Sequence, residues 1–400
     1  MTDRLYYNDS HRKEFEAKVL DCRPVKDKYE VVLDRTAFFP EGGGQYADTG
    51  YLDDVEVLDV KERKDVIFHT TAAPLDTGRT VAGRIDWEQR FDRMQQHTGE
   101  HIVSGLIHRR FGYDNVGFHL GGDYCTMDFN GPIPREALKE IEQEANRAVF
   151  QNLDIQISYP SKEELKELDY RSKIEIDGQV RVLTVPGYDV CACCAPHVKR
   201  TGEIGLIKLV GMVKYKGGER ISMLCGSRAL LDYEIKDENA KRISALLCAK
   251  EYEVADAVER MKEEQASLKG KLASFQQKLL SYQAAQIPVE DKVTAVFDPS
   301  LSGNAPRDLM NLLLGRGAAV CAVFTGTDEA GYRYVIGSRR EDVRPLCRML
   351  NEAFEGRGRR KAGNGAGFYE GQRGKDTGFN RELDLIVSSF FHHNLNTIWQ

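Results

Sequence analysis

The stretch QQHTGEHIVSG, residues 95–105, sets His97 and His101 four positions apart, with Glu100 beside the second. On a helix, positions i and i+4 share one face, so the two imidazoles can reach a common ligand. A zinc ion is the natural candidate. Zinc takes three or four protein donors, and this stretch supplies two. The rest of the chain must therefore bring further donors to that helix.

Upstream, residues 1–90 read as strands. KVLDCRPVKDKYEVVLDRTAFF (18–39), GYLDDVEVLDVKERKDVIFHT (50–70) and VAGRID (81–86) alternate or are β-branched, with turn residues between. Inside them FPEGGGQYADTG (39–50) is a glycine-rich loop, which on its own reads equally as a hairpin connection. No Lys-Ser/Thr follows its glycines and no helix opens there, so the Walker and dinucleotide phosphate loops are excluded. A helical pattern from about residue 91 carries the histidines, and PREALKEIEQEANRAVFQN (134–152) is amphipathic with Pro134 near its first turn. Short strands follow in LDIQISYP (153–160), QVRVLTVPGYDV (179–190) and the run 204–226. This segregation of helices and strands is an α+β pattern.

Residues 233–285 change character, with one glycine, Gly270, and no proline. Apolar residues at Ile243, Leu247, Val254, Met261, Leu268, Leu272, Phe275, Leu279 and Tyr282 step by three, four or seven, a heptad seam broken by polar slots. A helical hairpin or a coiled-coil spacer fits, ended by Pro288, and the seam needs a partner surface. The tail alternates strands and helices as a small α/β domain. Expected boundaries are 1–90, 91–232, 233–287 and 288–400.

Composition narrows the class. With 400 residues, 41% hydrophobic and 30% charged, the chain has the makeup of a soluble protein of two to four domains. No run of 18 apolar residues and no apolar leader is present, so a cytoplasmic chain without a membrane span is expected. Nine mostly scattered cysteines argue against a disulfide framework. The net charge of −6 leaves a nucleic-acid partner open, because a local basic face can still bind phosphates.

The cluster Cys191, Cys193 and Cys194 stands apart. In DVCACCAPHVKRTGEIG (189–205), Cys193 and His197 repeat the four-residue spacing, which would complete an N₃S tetrahedral set with His97 and His101. Cys191 and Cys194 remain rivals that only the spacing disfavours. A metalloprotease is disfavoured: its glutamate directly follows the first histidine, where Thr98 stands here. A purely structural zinc clamp stays open, though it would leave the glycine-rich loop unexplained.

HTGEHIVSG (97–105), GFHLGGDYCTMDF (117–129) and CCAPHVKRTGEIG (193–205), preceded by TAFFPEGGGQYADTG (36–50), resemble the editing domain of alanyl-tRNA synthetase and its freestanding AlaX relatives. The helical segment and glycine-rich tail are similar to the C-terminal DHHA1 oligomerisation and RNA-binding domain of the same proteins. The resemblance implies a β-barrel-like first domain with the loop, a zinc-dependent editing domain, a coiled-coil spacer and a DHHA1-like domain. It implies a trans-editing hydrolase that deacylates tRNA(Ala) mischarged with serine or glycine, without forming aminoacyl-adenylates; the alternative is an inactive zinc-containing tRNA-binding or regulatory protein.

By the same resemblance His97, His101, Cys193 and His197 bind zinc. Thr36 is the candidate for sensing the seryl hydroxyl, Gly42, Gly43 and Gly44 for admitting the aminoacyl end, and Gln45 for offering an amide. Glu100 replaces an uncharged residue of the family pattern and could serve as base or as orienter. CCAPH stands where synthetases have a CGGTH-like form, and AGNGAG (362–367) is a degenerate glycine signature. Within the basic tail 356–378, Arg359, Arg360, Lys361 and Arg373 are the candidate tRNA contacts. A homodimer through the helical seam and the tail domain is expected.

Overall fold

A computed structural model describes residues 2–172, 178–290, 293–327, 331–353, 357–361 and 368–372 of a mixed α/β chain. It forms two compact units, Met1–Ile243 and Ser244–Gln400. The first opens with β1 (Asp3–Arg4) and α1 (Leu5–Asn8). Strands β2 (Glu14–Val25), β3 (Lys28–Leu33), β4 (Arg35–Thr36), β5 (Gly50–Leu52), β6 (Val55–Arg63), β7 (Val66–Thr71) and β8 (Thr80–Ile85) follow. β1 pairs in parallel with β4, while the other six close a barrel in the order β2-β3-β7-β6-β5-β8. Alternation makes the barrel: Phe15, Ala17 and Val19 of β2 and Val81 and Ile85 of β8 point inward beside Leu33, Leu52, Val60 and Ile67. The glycine-rich loop, 39–48, leaves its rim.

Asp86 caps α2 (Trp87–Phe111) by accepting the Gln89 N–H at 3.1 Å, so the helix begins four residues before the pattern at 91. Gly112 ends it in the left-handed region. From Met94 to Ile107 every residue of α2 is buried, polar ones included. Around it lie β9 (Asn115–Leu120), β10 (Cys125–Phe129), α3 (Ala137–Gln151), β11 (Gln156–Ser158), α4 (Lys162–Glu167), β12 (Val182–Val185), β13 (Asp189–Ala192), β14 (Ile207–Tyr215) and β15 (Gly218–Cys225). These strands make an antiparallel sheet, β14-β15-β10-β9, and a smaller one, β11-β12-β13. Ile102, Val103, Leu106, Met127, Ile141, Ala148, Val185 and Met223 share the core. The expected single strand 179–190 is two, because Val185–Tyr188 turns back with Gly187 at φ 78° and the Tyr188 N–H on Val185 O. That turn sets Asp189 and Cys191 against α2.

Helix α5 (Gly226–Leu247) starts straight from β15, seven residues before the expected spacer, and stops where Cys248 turns to φ 49°. In the second unit α6 (Val254–Gln286), β16 (Val293–Phe297), α7 (Ala305–Gly315), β17 (Val320–Thr327), β18 (Gly331–Ser338), α8 (Arg344–Ala353), β19 (Arg357–Lys361) and β20 (Phe368–Gln372) follow. The sheet order is β16-β17-β18-β20-β19, with β16 and β17 parallel. β17 is buried on both faces: Val320, Ala322 and Phe324 meet Leu346 and Leu350 of α8, while Cys321 and Val323 meet Leu309 and Leu313 of α7. Leu280 and Ala284 of α6 dock on α7, and Arg316 donates to Ala284 O and Ile287 O at the end of α6. The heptad residues Met261, Leu268, Leu272, Phe275, Leu279 and Tyr282 are exposed, from 51% to 71%. No described helix is long and apolar enough to cross a membrane.

Candidate metal centre

Four side chains from two segments converge inside the first unit. His97 and His101 stack along α2, ring centroids 5.4 Å apart and 13° from parallel. His197 meets both edge-on, at 4.8 and 5.0 Å. Cys193 Sγ lies 3.8 Å from His97 Nε2 and 3.3 Å from His197 Nε2, and the four donor atoms fall within 4.8 Å of one another. A tetrahedral zinc with bonds of about 2.3 Å to sulfur and 2.0–2.1 Å to nitrogen puts sulfur and nitrogen about 3.6 Å apart. The two observed separations bracket that value.

Hydrogen bonds fix which nitrogen each ring presents. Thr98 Oγ1 donates its only proton to Met94 O at 2.7 Å, so at 3.1 Å from His197 Nδ1 it must accept. His101 Nδ1 donates to Asp189 Oδ2 at 2.8 Å, and His97 Nδ1 to Gln45 Oε1 at 3.1 Å. All three rings are thereby Nδ1–H tautomers with Nε2 lone pairs turned to one point. His101 Nε2 is buried there without a hydrogen-bond partner, a costly arrangement unless a ligand meets it. Lone pairs converging with a thiol are what a soft divalent cation fits, and zinc suits the N₃S set.

The electrostatics agree. Burial alone would raise the Cys193 thiol, but it is held well below its ordinary value, by the His97 side chain first. Burial pushes His197 down to about 3, keeping it neutral. His101 is raised, against its burial, by Glu100 and by the bond to Asp189; a cation at Nε2 would take the place of that proton. Burial would raise Asp189, but His101 and Arg171 hold it low, Arg171 by two bonds of 2.8 Å.

The spacing favours Cys193 over its neighbours, and Cys193 is the cysteine that joins the four-donor cluster. Cys191 is buried beside His101 and Asp189, while Cys194 is exposed. A cavity of about 1290 Å³ opens onto the site, with Gly43, Gly44, His97, His101, Cys193 and Cys194 in its wall. Gly43 and Gly44 sit at φ 61° and 82°, and a Cβ on Gly44 would come 2.9 Å from Phe118 O. Gly42 bridges to Gln45 and does not line the cavity.

Three expected site residues sit elsewhere. Gln45 is buried, with Oε1 on His97 Nδ1 and Nε2 without a hydrogen-bond partner. Thr36 is wholly buried in the barrel rim, its hydroxyl 2.9 Å from His69 Nε2 and accepting the Phe38 N–H, and it is not in the cavity wall. Glu100 lies beneath the site, accepting from Ser104 at 2.7 Å and from Asn115, with Oε2 3.9 Å from His101 Nε2. It faces the rings from below and is absent from the cavity wall, so it fits an orienter better than a base. The backbones of Arg359, Arg360 and Lys361 run along β19, but their side chains, and all of Arg373, lie outside the described residues.

The residues that bond the clustered rings were not legible in the sequence. Asp189, Thr98 and Arg171 carried no pattern signal. Asp48 and Arg90, both buried, tie the loop to α2: Arg90 Nε lies 2.9 Å from each Asp48 oxygen, and the Phe39 N–H donates to the same carboxylate at 2.6 Å.

Residues 6–89 match the family model described as tRNA synthetases class II (A), and 180–224 match the threonyl and alanyl tRNA synthetase second additional domain. The alanyl-tRNA editing protein AlaX-L of Pyrococcus horikoshii is 35% identical over 240 residues, 58% of this chain and 59% of that protein. The alanyl-tRNA editing protein Aarsd1 of Rattus norvegicus is 29% identical over 388 residues, 90% of this chain and 92% of that protein. The alanine–tRNA ligase of Pyrococcus furiosus is 36% identical over 274 residues, 65% of this chain and 30% of the ligase. The chain thus spans little more than half of the archaeal editing protein. The loop falls in the first matched segment, and Cys193 and His197 fall in the second. The chain is thus similar to the alanyl-tRNA editing proteins, over 90% of its length for the rat protein, and to part of alanine–tRNA ligase.

Proposed function

We propose that the chain is a zinc-dependent hydrolase that deacylates tRNA(Ala) mischarged with serine, or with glycine, in trans. The convergence of three fixed imidazole lone pairs and Cys193 beside a nucleotide-sized cavity is the observation that carries this reading. The cavity, about 1290 Å³, exceeds the usual range of about 300–1,000 Å³ for small-molecule pockets, which suits the end of an RNA better than a free amino acid. A synthetic site for alanine rejects serine by only about 10², so a second hydrolytic sieve is needed.

His97, His101, Cys193 and His197 would hold the ion, which when bound could polarise the ester, orient the amino group or activate water. Gln45, Asp189 and Thr98 keep the three rings aimed. Gly43 leaves open the space beside His97 and Cys194, since an added Cβ would lie 3.9 Å from His97 Cε1 and 3.6 Å from Cys194 Sγ. The aminoacyl group would enter there, against the backbone of Gly43 and Gly44. Glu100 would act through His101.

The four-part organisation, with a DHHA1-like tail that contacts tRNA through Arg359, Arg360, Lys361 and Arg373, belongs to the same proposal, as does a cytoplasmic location. Homodimerisation through α6 is supported by its exposed apolar seam. The test is serine release from Ser-tRNA(Ala), with Gly-tRNA(Ala) in parallel. Release by the wild type and its loss in Cys193→Ala are expected; a wild type that leaves both esters intact, while still binding tRNA, overturns the enzyme in favour of a binding protein.

A further inference from the structure

Arg181, just before β12, lines the same cavity and is only 8% exposed. Its Nη1 donates to the carbonyls of Cys193 at 2.7 Å and Ala195 at 3.1 Å. Its Nε is buried without a hydrogen-bond partner, and among the described residues no carboxylate comes within ion-pair distance of it. The guanidinium carbon lies 5.3 Å from the centre of the Tyr7 ring. Arg4 flanks the same ring at 5.5 Å, but Glu62 and Asp65 pair with it. Tyr7 and Arg4 also line the cavity.

A buried guanidinium is ordinarily matched by an anion. Two carbonyls and an aromatic face solvate Arg181 and fix its direction, yet among the described residues no anion compensates its charge. Taken over the described residues, the anion that matches it is one that arrives with a ligand. On the reading of the site as an aminoacyl-ester hydrolase, which this inference shares, the ester is uncharged and the amino group positive. The nearest negative charge is the phosphodiester behind the terminal ribose. A guanidinium is suited to phosphate oxygens by charge and by its forked donors. Arg181 is fixed to the Cys193 backbone and bonds none of the three imidazoles. Arg181, His97 and His101 line one cavity, so an ester at the imidazoles would have its phosphate within the cavity that Arg181 lines.

We infer that Arg181, backed by Tyr7, forms an anion subsite that binds the phosphodiester of the substrate's terminal nucleotide and positions the ester at the metal centre.

The test compares the 3′-seryl ester of adenosine, which has no phosphate, with that of cytidylyl-adenosine, which has one phosphodiester. The wild type, Arg181→Lys and Arg181→Met are each assayed on both, with metal content measured on every preparation. The wild-type ratio of kcat/KM, dinucleotide ester over adenosine ester, is expected to fall about tenfold to a hundredfold in Arg181→Met, mostly through KM, as the loss of a charge-assisted hydrogen bond implies. Arg181→Lys should restore part of it. An unchanged ratio, with both esters slowed alike, overturns the subsite and makes Arg181 a brace for the Cys193 backbone. If the wild type hydrolyses neither ester, the editing reading fails separately. Equilibrium binding of cytidylyl-adenosine against adenosine then decides: loss of the dinucleotide's advantage in Arg181→Met supports the subsite, and an equal advantage overturns it.

Discussion

Replacing Asp48 by asparagine should destabilise the first unit without touching any metal ligand directly. Asp48 and Arg90 are 1% and 0% exposed, and Arg90 holds the carboxylate through Nε at 2.9 Å to both oxygens and through Nη2. The Phe39 N–H donates to it as well. The asparagine amide would keep one acceptor and turn its protons toward other donors, leaving the guanidinium buried and uncompensated. Breaking a buried pair in this way costs about 3–5 kcal/mol. For a unit of this size roughly 2–4 °C is lost per kcal/mol, so a fall in Tm of about 6–20 °C is expected. Differential scanning calorimetry of the full chain at fixed metal content measures it, with Asp21→Asn as the control. Asp21 pairs with Arg23 on the surface, where such pairs contribute about 0–1 kcal/mol. A Tm shift in Asp48→Asn no larger than that of the control would refute the claim that this pair anchors the loop.

Other expectations follow from single contacts. Thr98→Val removes the acceptor that fixes the His197 tautomer without touching the cavity wall, and metal affinity, read by competition with a chromogenic chelator, should fall about 10- to 100-fold. Gly105→Ala would normally favour a helix by about 1 kcal/mol, but a Cβ there meets Tyr188 O at 2.2 Å and Asp189 Cβ at 2.9 Å. Urea unfolding should show destabilisation instead, of about 1–3 kcal/mol. Burial lowers His69 to about 4 while it bridges Val31 O and Thr36. A depressed imidazole contributes its full stability above the unfolded value near 6.5 and loses it as pH falls toward 4. Between pH 7 and 5 the wild type should lose about 2 kcal/mol that His69→Gln does not, by urea titration at both pH values.

The four-donor cluster was legible because the four-residue spacing occurs twice, in HTGEH and in CCAPH, and local spacing survives folding. The residues that aim them were not. Gln45 is 52 positions from His97 and Asp189 is 88 from His101, so only the closed barrel and the Val185–Tyr188 turn bring them together. Gln45 was expected at the substrate and instead holds a ring; Thr36 was expected there and is locked to His69. Glu100 had no role in the family pattern, and its bonds to Ser104 and Asn115 set it under His101. Strands, helices and the α+β character followed from periodicity, whereas the start of α2 depended on the Asp86 cap and that of α5 on continuity with β15.

The central claim is that one metal ion, held by His97, His101, Cys193 and His197, is required to hydrolyse the aminoacyl ester of tRNA(Ala). The direct measurement is deacylation of Ser-tRNA(Ala) by chelator-stripped protein as zinc is added back in known amounts. Activity should rise linearly and stop at one zinc per chain, with none regained by Cys193→Ala. Full activity in the stripped protein, or no activity at any zinc content, would contradict it.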